Sequence, residues 1–269
     1  MTSVIGRIKQ IKQPRGGYIN PKEFTITALD DGIELNPVEN IHSSLVGIVV
    51  DYMTRYLNHL NNISYLYGTD LAYEKAFDGL LEAFKVSIIG ALIIKDGDKA
   101  RELCEGIEGL DDQSIINACK LVGYDVCFRA GVAFYKPVDT INPDKDTIAN
   151  IRCMIQRSLK FIGKYGPIIK DGFNFEGGYT DLVTEGDGDF LTKDTLWDFK
   201  VSNKALTNKH TLQLLMYYLM GTHSIHEEDF LDIKNIGVFN PRLNTVYLLK
   251  ISDIPKETIK AVSEQVIGY

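Results

Sequence analysis

The residues with the greatest chemical potential lie in one stretch, Gly186-Asp187-Gly188-Asp189-Phe190-Leu191, followed by Leu196-Trp197-Asp198-Phe199-Lys200-Val201-Ser202. Residues two apart in a β-strand share a face. Asp198 and Lys200 therefore project together, while Trp197, Phe199 and Val201 turn to the other side to pack. Asp189 stands nine residues before Asp198, and a hairpin turning near Lys193-Asp194 sets the two opposite each other. Two carboxylates and an ammonium then converge on one small patch.

Neighbouring carboxylates repel unless a cation sits between them. Mg²⁺ or Mn²⁺ prefers such hard oxygen ligands and keeps waters for a phosphate substrate. A cation held there can acidify a water and stabilise charge growing on a phosphoryl oxygen. Lys200 beside it would orient that water or support the charged transition state. The residue types point to phosphodiester hydrolysis.

Other candidates carry less. Asp187 shares a face with Asp189 and could be a second ligand, but Gly-Asp-Gly also reads as a plain turn, which the local sequence favours. A second Asp-x-Lys, Asp232-Ile233-Lys234, lacks a preceding acidic strand and reads as a surface pair. Gln213 and Tyr217 are i,i+4 neighbours on one helical face. Lys204, Lys209 and His210 follow the patch directly and are candidate nucleic-acid contacts. Lys160 and Lys164, with Arg152 and Lys170, could form a phosphate-binding ridge, although the solvated face of an amphipathic helix explains them as well. Arg15 and Arg242 sit on expected turns and could contact phosphates, with little weight. The repeated Gly-Gly-Tyr at 16–18 and 177–179 reads as turn geometry, and His223/His226 as an incidental pair.

The elements that must position the patch are read from periodicity. Residues 1–40 hold many turn formers and read as short strands and loops. Leu45, Val46, Val49, Val50, Met53 and Leu57 follow a 3.6 period and predict a helix over 43–60 capped by Ser43 or Ser44. Further helices are expected over 71–94 and 112–122. After Asp146, the stripe Ile148, Ile151, Ile155, Leu159 and Ile162 predicts the most regular helix, stopped by Gly163 and Gly166-Pro167. Beyond Pro167 come β-rich stretches over 178–202, a helix over 211–220, a hairpin of 236–239 with 245–251, and a closing helix over 255–266. The division expected is a mainly helical region, 1–166, packed on a core, 167–269, as one integrated domain.

Composition allows this. The 269 residues are 45% hydrophobic and 24% charged, ordinary for a globular chain. The N-terminus has no continuous apolar h-region, and the longest apolar run, 86–94, falls short of the roughly 20 residues a bilayer demands. A cytoplasmic protein without membrane attachment is expected. The four cysteines contain no CxxC pair and read as reduced, mostly buried thiols. The net charge of −7 opposes non-specific nucleic-acid binding, so any such contact must be local.

The pattern Asp189, then Asp198-Phe199-Lys200, then Gln213 and Tyr217 on the following helix, resembles the PD-(D/E)XK nuclease superfamily in its RecB-like branch. The phrase GDGDFLTKDTLWDFKVS and the helix LVGIVVDYMTRYL at 45–57 are similar to an uncharacterised bacterial and phage subset. The resemblance implies an α/β restriction-endonuclease-like core, a small mixed sheet centred on 178–202 and flanked by helices. It implies Mg²⁺ or Mn²⁺ bound by Asp189, Asp198 and the Phe199 carbonyl, with Lys200 catalytic and Gln213 orienting the site. Many members add a glutamate from a helix before the first strand. Glu82, on the stripe Glu74, Asp78, Glu82, is the candidate here, and Glu176 the other. DNA is favoured over RNA as partner, in phage defence, restriction or DNA processing, and a homodimer or a partner protein is compatible with the pattern. The rival expectations are a nuclease fold kept as a nucleic-acid or protein interaction module, and a plain interaction protein in which 181–202 is a polar hairpin.

Overall fold

Two polypeptide segments far apart in sequence build the β-structure. The computed structural model describes the backbone of residues 2–66 and 69–269, and side chains outside 63–74. The chain divides into a sheet unit, Met1–Asp31 with Phe161–Tyr269, and a helical unit, Gly32–Lys160. This corrects the expected division at 166. The first 31 residues join the C-terminal part because their apolar residues are buried in its core: Val4, Ile8, Ile19 and Phe24 lie in one cluster with Leu196, Leu212, Leu215 and Ile236.

The sheet unit is α/β, with a six-stranded mixed open sheet in the order β1-β6-β5-β4-β3-β2. The strands are β1 (Thr25–Ala28), β2 (Lys170–Asn174), β3 (Asp187–Thr192), β4 (Thr195–Phe199), β5 (Asn235–Asn240) and β6 (Thr245–Lys250). The expected turn at Lys193-Asp194 joins β3 to β4 antiparallel, with Phe190 opposite Trp197 and Thr192 opposite Thr195. β4 and β5 run parallel, Asp198 beside Val238. Parallel neighbours require a crossover, supplied by α9 (Asn208–Gly221) and the short α10 (Glu227–Phe230). The expected β5–β6 hairpin forms. Its turn is closed by Asn240, whose Oδ1 accepts the N–H groups of Arg242 and Leu243, and by Asn244 at φ 47°, a left-handed position that asparagine tolerates.

Alternation along β4 sorts its side chains as expected. Leu196 faces α9 in the larger core cluster. Trp197 and Phe199 face the opposite side, against Phe161 and Tyr165. The indole fits because residue 237 on β5 is glycine: a Cβ there would lie 2.5 Å from the Trp197 ring. Its Nε1–H donates to Thr192 Oγ1 at 3.0 Å.

Two elements of this unit were missed from sequence. Residues 4–10 form a helix, α1 (Val4–Gln10), with Ser3 Oγ accepting the Gly6 N–H. Arg7 donates from Nε and Nη2 to the carbonyls of Val266 and Gln265, tying the N-terminal segment to the closing helix. That helix comprises α11 (Lys256–Ala261) and a π-helical continuation, Val262–Ile267. The edge strand β2 is the other omission.

The helical unit holds α2 (Ser43–Leu66), α3 (Thr69–Ala83), α4 (Lys85–Ile93), α5 (Gly97–Glu105), α6 (Asp112–Val122), α7 (Asp125–Arg129) and most of α8 (Lys145–Tyr165). The single helix expected over 71–94 is two, broken at the buried Phe84. The apolar stripe of α8 is buried at Ile148, Ile151 and Ile155. All four cysteines are free and buried, and burial pushes the Cys104 and Cys119 thiols up to about 11 and about 12. Among the described residues no helix is long and apolar enough to cross a membrane.

Candidate functional site

The residues singled out at the hairpin meet on the α9 side of the sheet. Asp198 is the last side chain that β4 turns towards α9, and it is buried, with 2% of its surface exposed. Its Oδ1 accepts from Lys200 Nζ at 2.9 Å and from Gln213 Nε2 at 3.2 Å. Lys200 Nζ also lies 2.8 Å from Oδ2, so the ammonium spans both carboxylate oxygens; among the described residues Oδ2 has this ion pair but no directed hydrogen bond. Lys200 is 28% exposed and so connects a buried carboxylate to solvent.

Asp189 arrives from β3. The β3–β4 ladder ends at Phe190–Trp197, and the next pair in that register is Asp189 with Asp198. There the Asp189 side chain replaces the ladder: its Oδ2 accepts the Phe199 N–H at 2.6 Å. Lys200 N–H bonds in the other direction, to the Phe239 carbonyl of β5. Strand residues direct their N–H and C=O to the same side, so the Phe199 carbonyl is turned towards β3 and Asp189. Asp187 belongs to β3, opposite Asn174, so the favoured turn reading is corrected. Edge strand β2 carries the ladder through Gly188, opposite Phe173, to Asp187.

Helix α9 supplies the remaining groups. It is buried on nearly all sides, so its polar members need partners. Gln213 Nε2 bridges Asp198 and the Tyr217 hydroxyl, at 3.2 and 2.9 Å. Burial pushes the Tyr217 hydroxyl well above its ordinary value, and the charges of Asp198, Asp189 and Asp187 add to the effect. Tyr217 stays protonated, and three carboxylates surround it electrostatically. His210 is half-buried and sits one turn earlier. Its pKa is lowered by burial and the Lys200 ammonium, against the opposing pull of Asp198.

The other candidates fare differently. Lys204 and Lys209 are exposed beside this site. Lys160 is exposed on the helical unit, and Lys164 is exposed on the last turn of α8, its Nζ 5.4 Å from the Tyr165 ring. Arg152 is held by the Leu110 carbonyl and Asp112, and Lys170 by Asp229, so both have structural partners. Glu82 belongs to the helical unit, where it is exposed and paired with Lys85. Asp78, one turn earlier, is exposed as well, so these two lie on the solvated face of α3. Glu74 lies outside the described side chains. Glu176 is exposed in the turn after β2. His223 stacks on Tyr269, whereas His226 lies against Phe173 and Asp229, so the pair shares no ligand position. Gly16, Gly17 and Gly177 have positive φ, the turn role expected of them.

Among the described residues no group of three or more His, Cys, Asp or Glu side chains could hold a metal. The donor set at the site is smaller: Asp189, Asp198, whose Oδ2 has no directed hydrogen bond, and the Phe199 carbonyl. That fits Mg²⁺ or Mn²⁺, which can bind through one or two carboxylates and complete their shells with water and substrate phosphate. Sequence reasoning missed Asp187 as a strand residue and His210 as part of the Gln213–Tyr217 face; the 210, 213, 217 spacing was the available signal. No family model matches the chain, and no match to it was found among curated proteins or solved structures.

Proposed function

We propose that the sheet unit is a divalent-cation-dependent phosphodiester hydrolase acting on nucleic acid, with DNA as the favoured substrate and a PD-(D/E)XK-type site. One observation carries this reading. Asp198 is buried beside Asp189, and among the described residues its Oδ2 has no directed hydrogen bond, only the ion-pair approach of the part-exposed Lys200. A structural aspartate would use that oxygen, because an unsatisfied buried acceptor costs about 1–3 kcal/mol. Here the contact to Oδ2 is a part-exposed lysine that an arriving cation can displace.

Each residue then has a task. Asp189 and Asp198 would hold the cation with the Phe199 carbonyl. Asp189 also caps the Phe199 N–H, which fixes that peptide's orientation. Gln213 pins Asp198 Oδ1 and is itself anchored on Tyr217, so the carboxylate cannot rotate away. When bound, Mg²⁺ or Mn²⁺ would lower the pKa of a water and offset charge on the phosphoryl group. Lys200 exchanges its contact with Asp198 for the attacking water or a phosphoryl oxygen. Lys204 and Lys209 offer the substrate local positive charge that the net −7 of the chain does not provide.

The test is incubation of the purified chain with linear, circular and single-stranded DNA and with RNA, in Mn²⁺, Mg²⁺ or EDTA, beside Lys200→Ala. Cation-dependent cleavage reduced about a thousandfold in the variant is expected. A second reading, a nuclease fold kept for binding alone, is favoured by the absence of a third carboxylate ligand among the described residues. It predicts Mn²⁺ binding without turnover on any substrate.

A further inference from the structure

His210 is the one polar residue of the Asp198-facing stripe of α9 that neither Asp198 nor Tyr217 engages. Residues 210, 213 and 217 are spaced three and four apart, so they share one face of the helix. The later two define where that face points, through Gln213 to Asp198. His210 is therefore one turn towards the N-terminus of α9, at the rim of the same patch. The charges that act on it are those of Lys200 and Asp198.

Its ring is oriented by the backbone. His210 is the third residue of α9, and its Nδ1 accepts the N–H of Thr207, the helix-capping residue, at 3.2 Å. A neutral imidazole that accepts at one nitrogen carries its proton on the other. The helix cap thus fixes both the tautomer and the direction of Nε2–H, and it does so without using that donor. Glutamate or glutamine would serve equally as the reciprocal cap at this position. Capping alone therefore gives no reason for histidine.

We infer that His210 is a substrate-positioning residue whose Nε2–H donates a hydrogen bond to a non-bridging phosphate oxygen of a nucleic-acid strand lying over Asp198 and Lys200. The assignment rests on the hydrolase reading for its substrate class. A neutral donor suits this position. It contacts the anionic backbone without adding a second cation beside Lys200, and it needs no reorganisation because the cap already holds it.

Three substitutions in the full chain separate capping from donation. His210→Gln keeps the cap and can present an amide donor. His210→Glu keeps the cap without a donor. His210→Met keeps neither and stays uncharged. Binding is read by fluorescence anisotropy with labelled duplex and single-stranded oligonucleotides in EDTA, and folding by thermal melts. His210→Gln should bind as the wild type does, whereas His210→Glu and His210→Met should bind about tenfold or more weakly, the loss of one hydrogen bond to a charged group. His210→Glu should melt with the wild type. Equal binding by wild type and His210→Met, or no binding of either oligonucleotide by the wild type, overturns the assignment. Cleavage in Mn²⁺ distinguishes the two levels. Wild-type cleavage abolished by Lys200→Ala, with His210→Met still binding fully, sinks the His210 role alone. His210-dependent binding with no wild-type cleavage sinks hydrolysis alone.

Discussion

Each unit contains an aspartate with 2% of its surface exposed, and their surroundings are opposite. In the helical unit, Asp125 at the start of α7 is saturated. Its Oδ1 accepts from Ser87 Oγ at 2.5 Å; its Oδ2 accepts from the Tyr52 hydroxyl at 2.8 Å and from Arg129 Nε at 3.3 Å. Arg129 closes the ring by donating Nη2 to the Tyr52 oxygen. Burial and the Asp125 charge drive the Tyr52 hydroxyl upward, so it remains a donor at any ordinary pH. In the sheet unit, both directed hydrogen bonds to Asp198 converge on Oδ1, and among the described residues Oδ2 has only the ion-pair approach of Lys200 Nζ at 2.8 Å. Burial by itself therefore says little about a carboxylate's role. The completeness of its hydrogen bonding separates a packing device, which must satisfy every lone pair, from a site that holds one in reserve for a ligand.

The largest effect should appear in chemistry. Asp198→Asn is expected to reduce cation-dependent cleavage by about a thousandfold or more and to abolish heat from Mn²⁺ titration, while Asp125→Ala retains Mn²⁺ binding. Equal Mn²⁺ binding by both variants would break the contrast. Stability should reverse the order. Asp125→Ala strands the Tyr52 and Ser87 hydroxyls and a half-exposed Arg129, at a cost of about 3 kcal/mol in urea unfolding. Asp198→Asn keeps an Oδ1 acceptor for Gln213 but places an amide N–H group where Lys200 Nζ now lies 2.8 Å from Oδ2; the part-exposed lysine turns to solvent, and the cost should be about 1–2 kcal/mol. A larger loss for Asp198→Asn than for Asp125→Ala would mean that Asp198 is the structural residue.

The smallest effect is a pH dependence. The folded-state pKa of His210 lies below the ordinary 6.5, so the unfolded chain binds its proton more readily than the folded one. Stability linked to His210 is then present above about pH 6.5 and is lost as pH falls through that value. Urea midpoints measured from pH 7.5 to 5.5 should fall less steeply in His210→Gln than in the wild type. Parallel curves would remove His210 from its half-buried place beside Lys200.

Much of the site was legible because its members are linked by short-range periodicity. The two-residue repeat of a strand joins Asp198 to Lys200, the Lys193-Asp194 turn sets Asp189 opposite Asp198, and an i,i+4 step joins Gln213 to Tyr217. Asp187 was misread because glycines on both sides resemble a turn, and pairing with β2 was not visible locally. The Asp125 network had no signal. Tyr52, Ser87 and Asp125 are brought together only by the packing of α2, α4 and α7. The domain boundary failed for a related reason: nothing local to residues 1–31 indicates which core will bury Val4, Ile8 and Ile19.

The sequence by itself determined the helices with a sustained apolar stripe, the two hairpins, and the face on which two carboxylates and an ammonium meet, because backbone geometry repeats every two or 3.6 residues. Only the tertiary structure decided which lone pairs are satisfied. Hydrogen-bond completeness depends on donors from distant segments, Gln213 for Asp198 and Tyr52 for Asp125, and long-range packing alone brings those donors within 3 Å or so of a buried oxygen.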